Sequence, residues 1–135
     1  MPPESDLMRF KRVLVVEDEA ITALAETKLL ASFGYEPCGI AVSADEAIEA
    51  FSRELPDIVC MDVGIQGRKD GLQAAAAMLA KRRAEIVVIS GYDDEERRAE
   101  AAKLGAASFL VKPVTRDQFR AGLKAASDRA VSRSL

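Results

Sequence analysis

Short apolar segments alternate with longer amphipathic segments along the chain. Runs of Val, Ile, Leu and Cys without intervening polar residues are typical of strands that are buried on both faces of a parallel sheet. We predict five strands, at residues 13–16, 36–42, 57–62, 85–90 and 108–112, of which the second has the weakest pattern. The third strand is an apolar run with an acid at each end, Asp57 and Asp62.

A helix is predicted after each strand, from apolar residues at helical spacing and from residues that favour helix ends. The predicted starts are Ala20, Ser43 with Glu46 as a capping box, Asp70, Asp93 with Asp94, and Thr115 with Gln118 as a second capping box. The predicted stops are Gly34, Pro56 and Gly105. The expected inward faces are Leu72, Ala75, Ala76 and Leu79 in the third helix, and Phe119, Leu123 and Ala126 in the fifth. The inward face of the fourth helix is mostly alanine, so this helix should pack least firmly.

Strands that alternate with helices predict an α/β fold in which a parallel sheet is covered on both faces. We assign residues 10–130 to one domain, with short tails at 1–9 and 131–135. A chain of 135 residues has room for one such core and no more. We therefore expect either a stand-alone domain or a piece of a longer protein.

Composition narrows the classes of function. A net charge of −3 without a basic patch argues against direct binding of nucleic acid. No apolar stretch approaches the ~20 residues that cross a bilayer, and the first residues lack the apolar segment of a signal peptide, so we expect a cytoplasmic protein without membrane contact. The absence of histidine and the wide separation of Cys38 and Cys60 argue against a zinc site.

Polar side chains follow four of the five strands. Glu17 and Asp18 follow the first strand, and Asp62, Ser90 and Lys112 close the third, fourth and fifth strands. Ligands of open α/β sheets bind outside the carboxyl ends of the strands. In the doubly wound strand order 2-1-3-4-5, the first and third strands are neighbours, which would bring Asp18 close to Asp62.

Three converging carboxylates repel one another, and a hard cation such as Mg²⁺, which prefers oxygen ligands, relieves that repulsion. Lys112 could bind a phosphate oxygen and Ser90 could donate a hydrogen bond to another. An aspartate in such a pocket can act as a nucleophile and form an aspartyl phosphate.

At these residues the chain resembles the receiver domains of response regulators in two-component and phosphorelay systems. The resemblance covers roughly residues 11–129. It depends on the combination of Val-Val-Glu-Asp-Glu at 15–19, Asp62 after an apolar strand, Asp70-Gly71, Ser90-Gly91 and Lys112-Pro113. It implies a flavodoxin-like, doubly wound (βα)5 fold with strand order 2-1-3-4-5.

The resemblance also implies a role for each matching position. Asp62 matches the phosphoacceptor, and Lys112 and Ser90 match the phosphate-binding lysine and the switch hydroxyl. The residues implied for Mg²⁺ are Asp18, Asp62, the backbone carbonyl of Gly64, and Glu17 through a water. The residues implied for switching are Ser90, Phe109 and Tyr92, and Pro113 matches a proline that usually follows a cis peptide bond.

Partners are implied in the same way. The expected phosphoryl donor is a histidine kinase or a histidine phosphotransfer protein, and the expected output is a protein target that binds helix 4, strand 5 and helix 5. Because the first helix begins beside the acidic loop, we predict that the donor docks near Ile21, Thr22 and Ala25. The chain is expected to catalyse its own phosphorylation and dephosphorylation without being a conventional turnover enzyme.

The sequence departs from the family pattern at two places. Gln66 stands where many family members carry proline, and Ser90-Gly91-Tyr92 resembles a subgroup with a Thr-Gly-Tyr-like sequence.

Two alternative functions stay open from the sequence alone. A degenerate receiver would act only as a protein-interaction module. A phosphatase of the haloacid-dehalogenase type would carry a second aspartate two residues after the nucleophile, where this chain has Gly64.

Overall fold

Strands and helices alternate through the computed structural model of the chain, which describes residues 10–64, 70–91 and 95–135. The strands are β1 (Arg12–Val16), β2 (Glu36–Ala41), β3 (Ile58–Asp62), β4 (Glu85–Ser90) and β5 (Ser108–Val111). The helices are α1 (Ala20–Ser32), α2 (Ala44–Glu54), α3 (Gly71–Lys81), α4 (Glu95–Leu104) and α5 (Arg116–Ser134). All strand pairs are parallel, in the order β2-β1-β3-β4-β5. This confirms the predicted α/β fold and strand order.

Side chains that alternate along the strands separate two cores, one on each face of the sheet. Leu14, Val59 and Ile86 point to the face that α2 and α3 cover. Val13, Ile58 and Val87 point to the opposite face, where Leu30 of α1 and Leu123 of α5 pack. The central strands are thus buried on both sides, which explains why their sequences are continuously apolar.

The predicted helix starts are largely confirmed. Thr115 and Gln118 form the expected capping box, and Asp70 forms another with Gln73. Ser43 accepts a hydrogen bond from the Glu46 amide, but the Glu46 carboxylate accepts from the Val42 amide and not from Ser43. The predicted box is therefore displaced by one residue at this point. Gly34 and Gly105 have φ of 93° and 76°, the left-handed conformation expected of helix stops.

Two details of the helices differ from the predictions, one in α3 and one in α5. Met78 of α3 is buried, whereas Ala76, which we placed on the inward face, is exposed. Adjacent positions of this alanine-rich helix are similarly apolar, so the sequence pattern alone does not fix which of them faces the sheet. The helix α5 continues to Ser134 and buries Val131, so residues 131–134 are helix where we expected a tail. The predicted caps Asp93 and Asp94 and the N-terminal tail lie outside the described residues.

Gly71 brings the start of α3 against the end of β3. A Cβ atom at this position would lie 2.5 Å from the Asp62 carbonyl oxygen, so any larger residue would push the helix away from the strand. The Asp70-Gly71 pair thus combines a cap with a close backbone approach beside Asp62.

None of the helices in the described ranges is long and apolar enough to span a bilayer.

Candidate functional site

The carboxyl ends of β1 and β3 bring three acids together. Val16 is paired with Met61 across the two strands, so Glu17 and Asp18 leave β1 beside Asp62. One carboxylate oxygen from each acid lies within 4.8 Å of the others. Glu17 and Asp62 are buried, at 1% and 4% exposure. The predicted convergence of Asp18 and Asp62 is therefore observed.

Lys112 adds a cation to this acidic cluster. Its Nζ atom donates to Asp62 Oδ2 at 3.0 Å and to Glu17 Oε1 at 3.4 Å. The Lys112 amide donates to the Ser90 carbonyl at 2.8 Å, which fixes the lysine backbone next to the end of β4. The peptide bond between Lys112 and Pro113 is cis, as the resemblance implies.

The second Asp62 oxygen is also held. Oδ1 accepts a hydrogen bond from the Gly64 amide at 3.0 Å, so Gly64 lies beside Asp62 as expected. Ser90, at 1% exposure, closes β4 and lines the same pocket of about 310 Å³. Arg97 of α4 also lines this pocket, a residue that strand-end patterns could not reveal because it lies within a helix.

Burial and mutual repulsion give the acids unequal affinities for protons. Burial raises the pKa of Glu17 to about 8, and the hydrogen bond with Asp62 and the charge of Asp62 act in the same direction. Burial alone would raise the pKa of Asp62 too. Hydrogen bonds from Glu17, Gly64 and Lys112, with the charge of Lys112, outweigh burial and lower the pKa of Asp62. Of these two acids, Asp62 therefore ionises first as the pH rises, and Glu17 keeps its proton to higher pH.

These donors fit a hard divalent cation. Carboxylate oxygens are the ligands that Mg²⁺ prefers, and a cation beside Glu17, Asp18 and Asp62 would favour their ionised forms. Receiver-type sites typically bind Mg²⁺ at such an acidic cluster.

The residues implied in switching lie around α4 and β5. Phe109 of β5 is half-buried, and the Arg98 guanidinium of α4 lies 4.7 Å from its ring centroid. Ala101 is the only residue of α4 that is buried among the described residues, which agrees with the expected weak packing of this helix. Tyr92 and Gln66 lie outside the described residues.

The predicted donor surface is only partly contiguous. Thr22 and Ala25 of α1 line a groove of about 530 Å³ together with Lys112 and Pro113. Ile21 is 80% exposed, so it is not a core residue, but it does not line this groove. Glu26, which the sequence analysis did not single out, does line the groove. The sequence does contain one sign of this residue, because Glu26 is an acid one turn after Thr22 in a helix rich in Ala and Leu.

Comparisons with known proteins agree with this geometry. The family model for the response regulator receiver domain matches residues 13–124. The transcriptional regulatory protein PdtaR of Mycobacterium tuberculosis is 39% identical over 103 residues, which are 76% of this chain and 50% of that protein. The chemotaxis protein CheY of Thermotoga maritima is 35% identical over 104 residues, 76% of this chain and 86% of CheY. The chain thus spans about half the length of PdtaR.

Solved structures show the same fold. The signal receiver domain of a modulated diguanylate cyclase from Desulfovibrio desulfuricans G20 superposes with a TM-score of 0.82 at 28% identity, covering 90% of this chain and 97% of that one. A CheY-like receiver domain protein from Methanospirillum hungatei JF-1 superposes with a TM-score of 0.83 at 21% identity, covering 92% and 98%. The chain belongs to the response regulator receiver domain family, the phosphoacceptor domains of two-component signalling.

Proposed function

We propose that Asp62 is the residue that accepts the phosphoryl group, and that the donor is the phosphohistidine of a histidine kinase or histidine phosphotransfer protein. The single observation that carries this proposal is the pairing of Asp62 with Lys112 at 3.0 Å inside a buried acidic cluster. An ionised aspartate next to a fixed cation, at the carboxyl edge of the sheet, has the charge and the position that a phosphoryl acceptor needs.

In the transfer step, an Asp62 oxygen forms a bond to phosphorus while the bond from phosphorus to the donor imidazole nitrogen breaks. The nitrogen keeps the electron pair of the broken bond. Lys112 stays within reach of the phosphoryl oxygens, where it offsets the charge that develops on them. Ser90 lines the same pocket and supplies a hydroxyl that donates a hydrogen bond to another phosphoryl oxygen.

Asp18, Asp62 and the Gly64 carbonyl are the proposed Mg²⁺ ligands, with Glu17 acting through a water. When it is bound, Mg²⁺ supplies positive charge that offsets the three carboxylates and the incoming phosphoryl group. In the metal-free state, the charge of Lys112 offsets part of the negative charge of the acids. Burial alone would lower the pKa of Lys112, but its contacts with Asp62 and Glu17 raise it, which is consistent with this role.

The output is a change in the surface formed by α4, β5 and α5, which a protein target binds. A phosphoryl group on Asp62 draws the Ser90 hydroxyl toward it and lets Phe109 turn inward. Water later removes the phosphoryl group, so the domain acts as a switch and does not turn over a separate substrate. The role of a degenerate interaction module is not favoured, because every acid and the lysine of the cluster are present.

The test is modification of the purified protein with acetyl phosphate and Mg²⁺, followed by intact mass spectrometry. The wild type should gain one phosphoryl group, Asp62→Asn should gain none, and the matched control Asp45→Asn, an exposed residue in the first turn of α2, should behave as the wild type. Modification of Asp62→Asn to the wild-type extent would refute the assignment.

A further inference from the structure

Glu26 is a carboxylate in an otherwise largely apolar groove. The groove lies between α1 and the segment after β5, and its apolar lining includes Leu29, Val114 and Phe119. Within the part of the chain that the structure describes, Glu26 has no hydrogen-bond or ion-pair partner. Partly buried acids generally have such a partner, since desolvating an unpaired charge is costly.

The other charged groups of the groove are already engaged. Glu19 accepts a hydrogen bond from the Thr22 hydroxyl at 2.7 Å. The Lys112 Nζ atom is used by Asp62 and Glu17. Arg116 and Arg120 of α5 do not line the groove, and their guanidinium groups lie over the Phe33 ring. Of the charged residues that line the groove, Glu26 is thus the one without a partner in the part of the chain that the structure describes.

The proton affinity of Glu26 agrees with this isolation. Burial raises its pKa to about 7, the charge of Asp62 adds to the shift, and the charge of Lys112 opposes it. A cation from outside would lower this pKa and stabilise the ionised form.

The position of the groove ties it to the phosphoryl donor. Lys112 lines the groove and also contacts Asp62 at 3.0 Å. A donor whose histidine reaches Asp62 therefore comes next to the groove. We propose that Glu26 determines donor specificity by pairing with a lysine or arginine of the donor, carried close to the phosphohistidine. This inference rests on the proposed function and names the chemistry of the donor surface.

The experiment uses the phosphorylated cytoplasmic portions of the histidine kinases of the source organism. The kinase with the fastest transfer to the wild type is kept, and transfer is measured with Glu26→Gln and Glu26→Lys. We expect kcat/KM to fall about tenfold or more with Glu26→Lys and by a smaller factor with Glu26→Gln, because charge reversal adds repulsion to the lost pair. The matched controls Glu49→Gln and Glu49→Lys, at an exposed position of α2, should stay within about twofold of the wild type.

Two further measurements separate recognition from damage. Modification by acetyl phosphate, which has no docking surface, should proceed at the wild-type rate in all Glu26 variants. In the second measurement, each lysine and arginine near the donor histidine is replaced with glutamate in turn. One of these kinase variants should transfer to Glu26→Lys at least about fivefold faster than the unmodified kinase does, and should transfer slowly to the wild type.

Several results would overturn the inference. Wild-type transfer rates in both Glu26 variants, an equal loss with acetyl phosphate, or the failure of every charge exchange to restore transfer each contradict it. If circular dichroism shows that Glu26→Lys does not fold, the isosteric Glu26→Gln still tests the inference. An unchanged kcat/KM in that variant would contradict an ion pair between Glu26 and the donor. If acetyl phosphate leaves wild-type Asp62 unmodified, the proposed function itself fails.

Discussion

Replacing Glu17 with glutamine should stabilise the metal-free protein at alkaline pH. Glu17 is buried at 1% exposure, and its pKa lies near 8 instead of 4.5. Between these two values, the folded state holds a proton that the unfolded chain has released. Stability from Glu17 is therefore fully present below about pH 4.5 and is lost as the pH rises through about 8. The amide side chain of the Glu17→Gln variant is neutral throughout, so the variant lacks this loss.

The magnitude follows from the size of the shift. At about 1.4 kcal/mol for each pKa unit, a rise from 4.5 to about 8 corresponds to about 4 to 5 kcal/mol for an isolated carboxyl group. Solvent reaches Lys112, whose side chain is 37% exposed, and Asp62 shares the proton, so we expect about half of that figure. Glu17→Gln should thus exceed the wild type by about 2 kcal/mol at pH 8.5 and differ little at pH 5.

The assay is urea unfolding in EDTA at pH 5, 7 and 8.5. Far-UV circular dichroism is the suitable probe, because the chain contains no tryptophan. Glu26, with a pKa near 7, lowers stability over the same pH range in both proteins, so the difference between the two curves isolates Glu17. The exposed Glu49→Gln should leave the pH dependence unchanged. Addition of Mg²⁺ should restore more stability to the wild type than to Glu17→Gln at pH 8.5.

Parallel curves for wild type and Glu17→Gln from pH 5 to 8.5 would refute this account. They would mean that Glu17 is ionised over the whole range and that Lys112 fully compensates its burial. The lowered pKa of Asp62 does not interfere, since its contribution is lost only as the pH falls through that lowered value, below the assayed range.

Three more outcomes test the remaining parts of the site, and a fourth tests the output. Asp18→Asn should weaken Mg²⁺ binding sharply in a calorimetric titration and leave metal-free stability equal or higher, because one repelling charge is gone; unchanged affinity would contradict the ligand assignment. Lys112→Gln should slow modification by acetyl phosphate by about a hundredfold, and a loss below about threefold would assign the lysine a structural role. Arginine in place of Thr22 should slow transfer from the histidine donor and spare acetyl phosphate, and equal losses would indicate damage to the pocket. In hydrogen exchange with and without a beryllofluoride-type mimic, the changes should concentrate in residues 90–112, whereas changes confined to residues 64–70 would redirect the output to that segment.

The strands and the acidic cluster could be predicted because each follows from local patterns. Continuous apolar runs located the central strands, and the rule that parallel strands end at one edge placed Asp18 near Asp62. The groove around Glu26 could not be predicted in this way. The helix α1 is apolar on much of its circumference, so its sequence does not show which side faces the sheet, and only the observed burial of Ala23 and Leu30 turns Glu26 toward α5. In α3, the predicted Leu72 and Ala75 are buried, and only the exposed Ala76 and the buried Met78 escaped prediction, because adjacent positions of this helix are similarly apolar.

Under the proposed function, the unequal packing of α4 and α5 indicates which of these helices would move when Asp62 is phosphorylated. The helix α5 buries Phe119, Leu123 and Val131, and displacing it would expose side chains whose burial contributes about 1.5–3 kcal/mol each. Among its described residues, α4 buries only Ala101, whose methyl group contributes far less. Ser90 and Phe109 adjoin α4, and Arg97 of α4 lines the acidic pocket itself. A phosphoryl group needs only a few kcal/mol of differential interaction to move such an element, and α4 costs less to move than α5.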